Sequence, residues 1–397
     1  MADFAATREM FYLPDGVIYL DGNSLGPLPR AAEAKVAATL RDEWGEMLIS
    51  GWNKAGWMEQ PGRIGNRIAR LIGAEPGSVV VGDTLSIKVY QALASALEMN
   101  PTRRVILSDT GNFPSDLYMA EGLCRTLGNG YELKCVDPEQ VAGAIDASVA
   151  VLLITEVDYR TGRRHDMADL TMRAHAAGAL TVWDLAHSAG AFPLTVAQDG
   201  ADFAVGCSYK YLNSGPGGPA FIYVAPRHAD VARPALSGWL GHAAPFAFDT
   251  SYRPGAGVER MRVGTPPVLQ LAALEAALDV WDAVDLNDLR TASLALSDRL
   301  IAGVESACPT LTLATPRDHA QRGSQVSFRH PQGYAIMQAL IARGVIGDFR
   351  APDILRFGIT PLYIGAQEID AAVAILAEVM SRDLWQTPEY QVRGRVT

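Results

Sequence analysis

Two stretches decide the fold of this chain: VWDLAH at residues 182–187 and FAVGCSYK at residues 203–210. Each begins with an apolar run that is typical of a buried strand. The first run ends at Asp184, with His187 three residues later, and the second leads directly to Lys210. Because open α/β sheets bind ligands at the carboxyl ends of their strands, we expect Asp184 and Lys210 to face one pocket.

A carboxylate that faces a lysine across a pocket is the arrangement that pyridoxal phosphate (PLP) requires. The lysine forms an imine with the aldehyde of the cofactor, and the carboxylate keeps the pyridine nitrogen protonated so that the ring can accept electrons. The alternative is solvated surface charge, since 34 lysine and arginine and 44 aspartate and glutamate residues place many charges near strand ends. The remaining segments distinguish between these two interpretations.

The composition describes a folded protein with material for two or three domain-sized units. The chain has 397 residues, of which 49% are hydrophobic and 20% are charged. Its formal net charge of -10 disfavours nucleic acid or an anionic membrane surface as the main partner. No stretch approaches the 18 uninterrupted apolar residues of a membrane-spanning helix.

Cysteine usage and the first residues indicate a cytoplasmic location. The four cysteines are widely spread without a C-x-x-C pair, which disfavours a disulfide framework and a structural zinc site and favours a reducing compartment. Residues 1–19 lack the basic region and continuous apolar run of a signal peptide.

Strand and helix patterns alternate over the first two thirds of the chain, which predicts a mostly parallel sheet with right-handed crossovers. Further strands are expected at 79–81, 105–107, 149–154 and 220–224, with helices at 31–44, 64–72, 169–177 and 268–280. From about residue 286 the pattern becomes α+β, with helices at 289–306, 334–343 and 368–384 and strands at 311–313, 325–328 and 354–359.

These patterns divide the chain into three parts. We expect residues 1–60 to join the small domain and the site entrance, residues 61–282 to form a large α/β domain, and residues 283–397 to form a small α+β domain.

Several segments are candidate cofactor contacts, each with a simpler alternative. The turn at residues 82–86 between a strand and a helix could cradle an anion, although Ser86 could also serve only as a helix cap. Phe113 could stack on a planar ring, or it could be a hydrophobic staple at a helix start. Thr265 is the predicted N-cap just before the helix expected at 268–280, and it is a second candidate phosphate contact.

The candidate substrate contacts are equally open from local sequence. Trp52 and Trp57 could form an aromatic wall or could simply pack in the core. Asn23 lies in a turn-rich loop and could line the entrance. Arg356 lies in a predicted strand and could grip a substrate carboxylate with two hydrogen bonds, although a surface position is the simpler alternative.

Other common chemistries find no support in the sequence. It contains no G-x-x-x-x-G-K-[ST], H-E-x-x-H or G-x-S-x-G motif, and Gly255-Ala256-Gly257 lacks the rest of a dinucleotide fingerprint. None of the seven histidines belongs to a cluster with metal-ligand spacing, so we expect no metal.

Taken together, these segments resemble the kynureninase family, which is a group of fold type I PLP enzymes in the class V aminotransferase superfamily. The resemblance runs over almost the whole chain. It is carried by YLDGNSLG at 19–26, FPSD at 113–116, DLAH at 184–187 with Tyr209-Lys210, SGW at 237–239, and Arg356 before GITPLY at 358–363. The Asp-x-x-His and lysine features belong to the wider superfamily, whereas the other segments are more particular to this family.

The resemblance implies a large domain with a mostly parallel, seven-stranded sheet, and a homodimer whose site lies at the subunit interface. It implies that Lys210 forms the imine, that Asp184 pairs with the pyridine nitrogen and that His187 and Phe113 lie against the ring. The other implied cofactor contacts are Leu85, Ser86, Pro114, Ser115, Asp116, Thr155, Tyr209, Trp239 and Thr265, the last two matching phosphate contacts from the neighbouring subunit. Arg356 is the implied anchor for the substrate carboxylate, with Asn23 and Trp52 as further substrate contacts.

The implied activity is hydrolysis of L-kynurenine to anthranilate and L-alanine in tryptophan degradation, with 3-hydroxy-L-kynurenine as an alternative substrate. The carbon chain is cleaved between Cβ and Cγ after aldimine and ketimine formation and hydration of the γ-carbonyl, with Lys210, Tyr209 and Asp184 as catalytic residues. Two alternatives remain: another class V activity, such as cysteine desulfuration or transamination, and a non-catalytic PLP-binding protein. Lys88 departs from the family pattern, in which we expect an uncharged polar residue such as asparagine.

Overall fold

A seven-stranded sheet forms the centre of the large part of the protein in the computed structural model, which describes residues 4–394. The strands are β1 (Phe11–Tyr12), β2 (Ile18–Tyr19), β3 (Leu28–Pro29), β4 (Val79–Val81), β5 (Val105–Asp109), β6 (Glu132–Val136), β7 (Val149–Thr155), β8 (Leu180–Asp184), β9 (Phe203–Gly206), β10 (Phe221–Val224), β11 (Thr312–Leu313), β12 (Gln325–Arg329), β13 (Val345–Ile346), β14 (Asp348–Arg350) and β15 (Ile354–Gly358). The α-helices are α1 (Ala5–Arg8), α2 (Arg30–Ala38), α3 (Gly51–Lys54), α4 (Gln60–Ile72), α5 (Leu85–Met99), α6 (Pro114–Leu127), α7 (Val141–Ala144), α8 (Met167–Ala177), α9 (Val268–Ala277), α10 (Leu286–Ala307), α11 (Gly333–Ile341) and α12 (Ala366–Ser381).

The large sheet confirms the predicted mostly parallel arrangement. Its strand order is β4-β10-β9-β8-β7-β5-β6, and only β10 runs antiparallel to its two neighbours. All seven residues of β7 are buried, because helices cover both faces of a parallel sheet and its central strands meet no water. This burial explains why the central strands read as continuous apolar runs in the sequence.

The edge strand β6 was not predicted. None of its residues is fully buried, and Glu132, Lys134 and Cys135 are exposed. Charged side chains on an edge strand discourage pairing with other chains, and they also remove the apolar run by which buried strands are recognised.

The C-terminal part contains a second sheet, of order β11-β12-β15-β14, which packs with α10, α11 and α12. The α+β character predicted from residue 286 onward is therefore confirmed, whereas β14 was not predicted. Near the N-terminus, β2 pairs in parallel with β13, which links this segment to the C-terminal part. The exact domain boundaries remain a prediction.

Two of the predicted helices change their helix type along their length. The helix predicted at 31–44 is α-helical only to Ala38 and continues as π-helix through Thr39–Met47. The helix predicted at 268–280 changes to 3₁₀ turns at Leu278–Ala283. No helix within residues 4–394 is both long and apolar enough to cross a bilayer.

Gly65 brings α4 against the edge of the large sheet. A Cβ atom at this position would lie 2.1 Å from the backbone oxygen of Val79 in β4. We expect Gly65→Ala to cost roughly 1–3 kcal/mol, because the helix must move away from the strand. A lower thermal unfolding midpoint of the purified variant would measure this cost.

Gly122 provides the matched control. It lies inside α6, where a Cβ atom would meet only the end of the Arg125 side chain at 4.0 Å. Gly122→Ala should leave the midpoint unchanged or raise it, because alanine is favoured over glycine inside a helix by roughly 0.5–1 kcal/mol. Equal shifts in both variants would contradict the close packing of α4 on β4.

Candidate active site

The neighbouring strands β7 and β8 bring two polar side chains to the carboxyl edge of the large sheet. Thr155 ends β7, Asp184 ends β8, and the two residues are paired in the register. The Thr155 hydroxyl donates to Asp184 Oδ2 at 3.3 Å, and the backbone N–H of Ala186 donates to Asp184 Oδ1 at 2.8 Å. Burial raises the pKa of Asp184, while the charge of Lys210 and these two hydrogen bonds favour its ionised form.

Lys210 lies in the turn after β9, beside this carboxylate. Its Nζ lies 2.8 Å from Nε2 of His187, which is buried in the turn after β8. Burial lowers the pKa of Lys210, and the charges of Arg356 and Arg350 lower it further, whereas Cys207 and Asp184 oppose this shift. Burial and the Lys210 charge also hold the pKa of His187 well below its usual value. The neutral imidazole of His187 and the readily deprotonated amine of Lys210 therefore lie next to each other.

Asp116 adds a second buried carboxyl group to the cleft. It lies in the first turn of α6 and is 1% exposed, yet neither of its oxygens has a well-formed hydrogen bond among residues 4–394. Burial raises its pKa strongly, and the neighbouring charge of Asp184 adds to this effect. A buried polar group without a partner is costly, so this carboxyl group fits a site that a polar ligand completes.

An exposed aromatic ring covers the same cleft. Phe113 immediately precedes α6 and is 41% exposed. Its ring meets Tyr159 edge to face at 5.2 Å, and Lys210 Nζ lies 5.9 Å from the ring centroid. This exposed face can stack on a planar cofactor ring held at the lysine.

The first turns of α5 and α6 lie side by side. The hydroxyl oxygens of Ser86 and Ser115 are 2.9 Å apart, which joins two segments that were predicted separately as cofactor contacts. The chain enters α5 through Gly82 and Asp83, both with positive φ, so the turn is tightly folded. Backbone N–H groups and hydroxyls at two adjacent helix starts suit a phosphate group. The lysine, the carboxylates, the exposed ring and these helix starts together fit PLP.

Lys88 stabilises that turn from inside the protein. It is 1% exposed, and its Nζ donates to Asp83 Oδ2 at 2.9 Å, to Gln91 Oε1 at 3.0 Å and to the Met261 carbonyl at 2.9 Å. Burial lowers its pKa, and the charge of Asp83 opposes this. The residue that departs from the family pattern therefore holds the turn before α5, with all three of its protons in use.

Arg356 forms the centre of a second polar group, in β15. It is 1% exposed, so the surface alternative for this residue was wrong. Its Nε donates to Asp348 Oδ1 at 2.8 Å, its Nη2 donates to Asp348 Oδ2 and to Ser24 Oγ, and its Nη1 donates to the Tyr159 carbonyl. Asp348 lies directly opposite Arg356 in the register of β14 and β15.

Asn23 lies beside this group with an unused amide. It is fully buried, and neither polar atom of its side chain has a hydrogen-bond partner within the described part of the chain. It packs on Gly358, where a Cβ atom would lie 2.3 Å from Asn23 Oδ1. The glycine therefore makes room for the asparagine on the face of β15 that carries Arg356.

Backbone contacts connect the two groups. Gly26 N donates to the Tyr209 carbonyl at 2.8 Å, and a Cβ atom on Gly26 would lie 2.4 Å from the Lys210 carbonyl oxygen. The loop at residues 21–26 therefore packs directly on the lysine turn. Tyr159 contacts Arg356 through its carbonyl and Phe113 through its ring, so it touches both groups.

Two predicted site residues, Trp52 and Trp239, lie outside this assembly: Trp52 lines a separate cavity of about 350 Å³ with Trp57, and Trp239 meets Phe246 on an exposed loop. Thr265 lines the same cavity as Trp52 and also a small pocket with Gly82, Asp83 and Lys88, at the turn before α5. None of the three has a hydrogen bond or ring contact with Lys210 among residues 4–394. In the same part of the chain no group of three histidine, cysteine, aspartate or glutamate side chains could hold a metal ion.

The sequence analysis missed Asp348, Arg350 and Tyr159. Tyr159 acts through its backbone carbonyl, which carries no signal in the sequence. A signal for the other two did exist: Ala351-Pro352-Asp353 is a turn sequence between two short strands, and a hairpin there places Asp348 opposite Arg356.

A lysine and a carboxylate at the carboxyl edge of a mostly parallel sheet, beside an exposed aromatic ring, define the class of PLP-dependent enzymes of fold type I. Comparison with solved structures agrees in fold. The cysteine desulfurase of Thermococcus onnurineus NA1 aligns with a TM-score of 0.79 at 20% identity, covering 96% of this chain and 99% of that one. The cysteine desulfurase CsdA of Escherichia coli aligns with a TM-score of 0.79 at 18% identity, with the same coverage.

Sequence comparison identifies the family within this class. A family model described as the kynureninase C-terminal domain matches residues 289–376. A kynureninase of Pseudomonas fluorescens is 52% identical and one of Burkholderia pseudomallei (strain 1106a) is 50% identical, each over 99% of this chain and 96% of the relative. The chain belongs to the kynureninase family, as its sequence motifs predicted.

The buried position of Lys88 leads to a testable prediction. Lys88→Met removes the cation that pairs with Asp83 and should loosen the turn before α5, so we expect PLP to bind about 10-fold more weakly. Titration of the apoprotein with PLP, followed by the visible absorbance of the bound cofactor, measures the dissociation constant.

The matched control is Lys134→Met, which removes an exposed lysine from the edge strand β6. It should bind PLP like the unmodified protein. An unchanged PLP dissociation constant in Lys88→Met, with the thermal midpoint of the apoprotein retained, would show that the turn does not depend on Lys88.

Proposed function

We propose that this protein hydrolyses L-kynurenine, and 3-hydroxy-L-kynurenine as a second substrate, to anthranilate or 3-hydroxyanthranilate and L-alanine with PLP as cofactor. The observation that carries the proposal is identity of 50–52% with curated kynureninases over nearly the whole chain. Support comes from the cleft, where Lys210 contacts His187, Asp184 ends a neighbouring strand and Arg356 is buried near Tyr159. The proposed setting is tryptophan degradation.

PLP, when bound, supplies an aldehyde that captures the substrate amine and a ring that accepts electrons from the substrate carbon chain. Lys210 is the residue that binds its aldehyde, and Asp184 lies where it can hold the proton on the ring nitrogen. Phe113 offers the stacking surface, with His187 at the other side of the lysine. The remaining proposed contacts are Leu85, Ser86, Pro114, Ser115, Asp116 and Thr155.

Lys210 is the proposed base for the substrate α-proton. A lysine accepts a proton only when its amine is neutral, and burial together with the charges of Arg356 and Arg350 lowers its pKa. His187 stays neutral at its side, so its Nε2 can accept a hydrogen bond from the Lys210 amine. The two arginine charges therefore favour both substrate binding and proton removal.

Tyr209 is the proposed acid beside the lysine. Its ring centroid lies 6.0 Å from Lys210 Nζ. The neighbouring Cys207 and burial raise its pKa above the usual value, which keeps the phenol protonated, and we assign to it the proton that Cβ of the alanine fragment receives. Cleavage of the Cβ–Cγ bond needs such a donor for the alanine fragment.

The substrate is proposed to enter between the loop at residues 21–26 and Phe113. Arg356 holds the α-carboxylate, and the unused amide of Asn23 is available to a polar group of the substrate. Trp52 is proposed for the aromatic pocket, reached through rearrangement or assembly because its cavity is separate in the single chain.

Assembly into a homodimer would explain the residues that lie apart from the cleft. Trp239 and Phe246 are exposed apolar side chains on one loop, and Thr265 is exposed as well. We propose that Trp239 and Thr265 reach the PLP phosphate of the neighbouring subunit, so that the site lies at the subunit interface. The four free, widely spaced cysteines support a cytoplasmic location for this dimer.

The fold similarity to cysteine desulfurases does not favour desulfuration. That reaction needs a reactive thiolate on an accessible loop. Cys207, the cysteine nearest Lys210 in sequence, is 2% exposed, and burial raises its pKa, so it is a poor nucleophile. A non-catalytic PLP-binding protein would have no use for a buried arginine anchor beside the lysine.

Incubation of the PLP-loaded protein with L-kynurenine tests the proposed function. We expect equal amounts of anthranilate, followed by its fluorescence, and of L-alanine. In Lys210→Ala the rate should fall by about 10³-fold or more, because the proposed base is lost. The visible absorbance of the bound cofactor should also change, which is a readout independent of turnover.

Lys134→Ala, at an exposed position on β6, is the control for loss of a lysine and should retain full activity. Two results would refute the proposal: no anthranilate from the unmodified, PLP-loaded protein, or an undiminished rate in Lys210→Ala.

A further inference from the structure

The hydrogen bonds of Arg356 leave it little capacity for a substrate carboxylate. A guanidinium group has five N–H donors. Four of the five are already used among residues 4–394: Nε and one Nη2 proton by Asp348, the other Nη2 proton by Ser24, and one Nη1 proton by the Tyr159 carbonyl. Arg356 can therefore give a bound carboxylate one hydrogen bond through Nη1, and a two-point grip needs another donor.

The charges lead to the same conclusion. Asp348 is 2% exposed and forms a two-point ion pair with Arg356, so the buried pair carries no net charge. The charges of Arg356 and Arg350 oppose the effect of burial and hold the pKa of Asp348 low, which keeps the carboxylate ionised. A neutral pair attracts an anionic substrate weakly, so a further positive charge is required.

Arg350 supplies both the donor and the charge. Its Nη2 lies 2.7 Å from Asp348 Oδ2, on the same carboxylate that holds Arg356. Its Nη1 donates to the Phe349 carbonyl at 3.2 Å, and its other three N–H groups have no acceptor within the described residues. The side chain is 35% exposed, so those donors can meet an entering ligand.

The sheet geometry directs Arg350 toward the cleft. Asp348 and Arg350 are two residues apart on β14, and Asp348 lies opposite Arg356, so all three side chains project from one face of the small sheet. The same face carries Gly358 and the buried Asn23. The charge of Arg350 is also felt at Lys210 and at His187, which places it within electrostatic range of the reacting groups.

We propose that Arg350 is a substrate-binding residue that gives the second hydrogen bond and the net positive charge to the substrate α-carboxylate. Arg356 gives the first hydrogen bond, and Asp348 is the positioning residue that fixes both guanidinium groups. This inference rests on the proposed function for the identity of the substrate, but the carboxylate grip can be tested separately.

The test compares two amines that differ in the carboxylate. L-alanine carries it and ethylamine does not, and binding of either to the PLP-loaded protein is followed by the absorbance of the cofactor without any need for turnover. In Arg350→Gln we expect the affinity for L-alanine to fall by about 10- to 100-fold, as for loss of a charge-assisted hydrogen bond. The affinity for ethylamine should change less than about 2-fold.

Two further variants sharpen the test. Arg350→Lys keeps the positive charge but lacks the planar, paired N–H donors of a guanidinium group. It should lose less affinity for L-alanine than Arg350→Gln. Arg329→Gln is the matched control. Arg329 also pairs with an aspartate, Asp353 in the turn between β14 and β15, but its side chain is exposed on β12. Its affinity for both amines should be unchanged.

Kinetics provide a second readout. With L-kynurenine, Arg350→Gln should raise KM by a similar factor and change kcat much less. Equal affinity for L-alanine in the unmodified protein and in Arg350→Gln would overturn the inference and show that Arg356 grips the carboxylate alone by releasing Ser24. A parallel loss for both amines would overturn it as well, because Arg350 would then have only a structural role.

The outcome is separable from the proposed function. Suppose that the unmodified protein does not cleave L-kynurenine, but that it prefers L-alanine to ethylamine and Arg350→Gln does not. The substrate assignment then fails and the inference stands. If the unmodified protein binds L-alanine no better than ethylamine, no carboxylate grip exists and the inference fails.

Discussion

The contact of the Lys210 amine with His187, within the electrostatic influence of Asp184 at the carboxyl edge of the large sheet, is the constraint on which the site depends. A lysine that is buried beside a neutral imidazole gives up its proton more readily than one in water, whereas the neighbouring carboxylate limits that tendency. Asp184 is in turn held by Thr155 and by a backbone N–H, so its position follows from the pairing of β7 with β8. The register of the sheet therefore fixes the carboxylate that influences the pKa of the Lys210 amine.

The small sheet and the N-terminal segment add the second half of the site. Arg356 reaches the Tyr159 carbonyl, and the Tyr159 ring packs on Phe113, which lies beside the lysine. The loop at residues 21–26 lies on the lysine turn through Gly26. The polar groups around Arg356 and around Lys210 are thus joined by direct contacts between parts of the chain that are far apart in sequence.

The sequence predicted what depends on local pattern and left out what depends on pairing. The apolar runs before Asp184 and Lys210 identified β8 and β9, because buried parallel strands need apolar side chains throughout. β6 and β14 were missed, since an edge strand carries charges and a three-residue strand has no period to detect. The burial of Lys88 follows from contacts between distant elements, such as its hydrogen bond to the Met261 carbonyl, whereas the ion pair of Arg356 with Asp348 lies within one hairpin. The positions of Trp52 and Trp239 away from Lys210 likewise follow from the tertiary structure and not from local pattern.

The central claim is that the amine of Lys210 is the point at which PLP is attached. Borohydride reduction of the PLP-loaded protein, followed by proteolysis and mass spectrometry, tests it most directly because reduction fixes the cofactor to the nitrogen that holds it. The account predicts one pyridoxyl label per chain, on the peptide that contains Lys210. A label on another lysine, such as the buried Lys88, or a protein that retains no label, would contradict it.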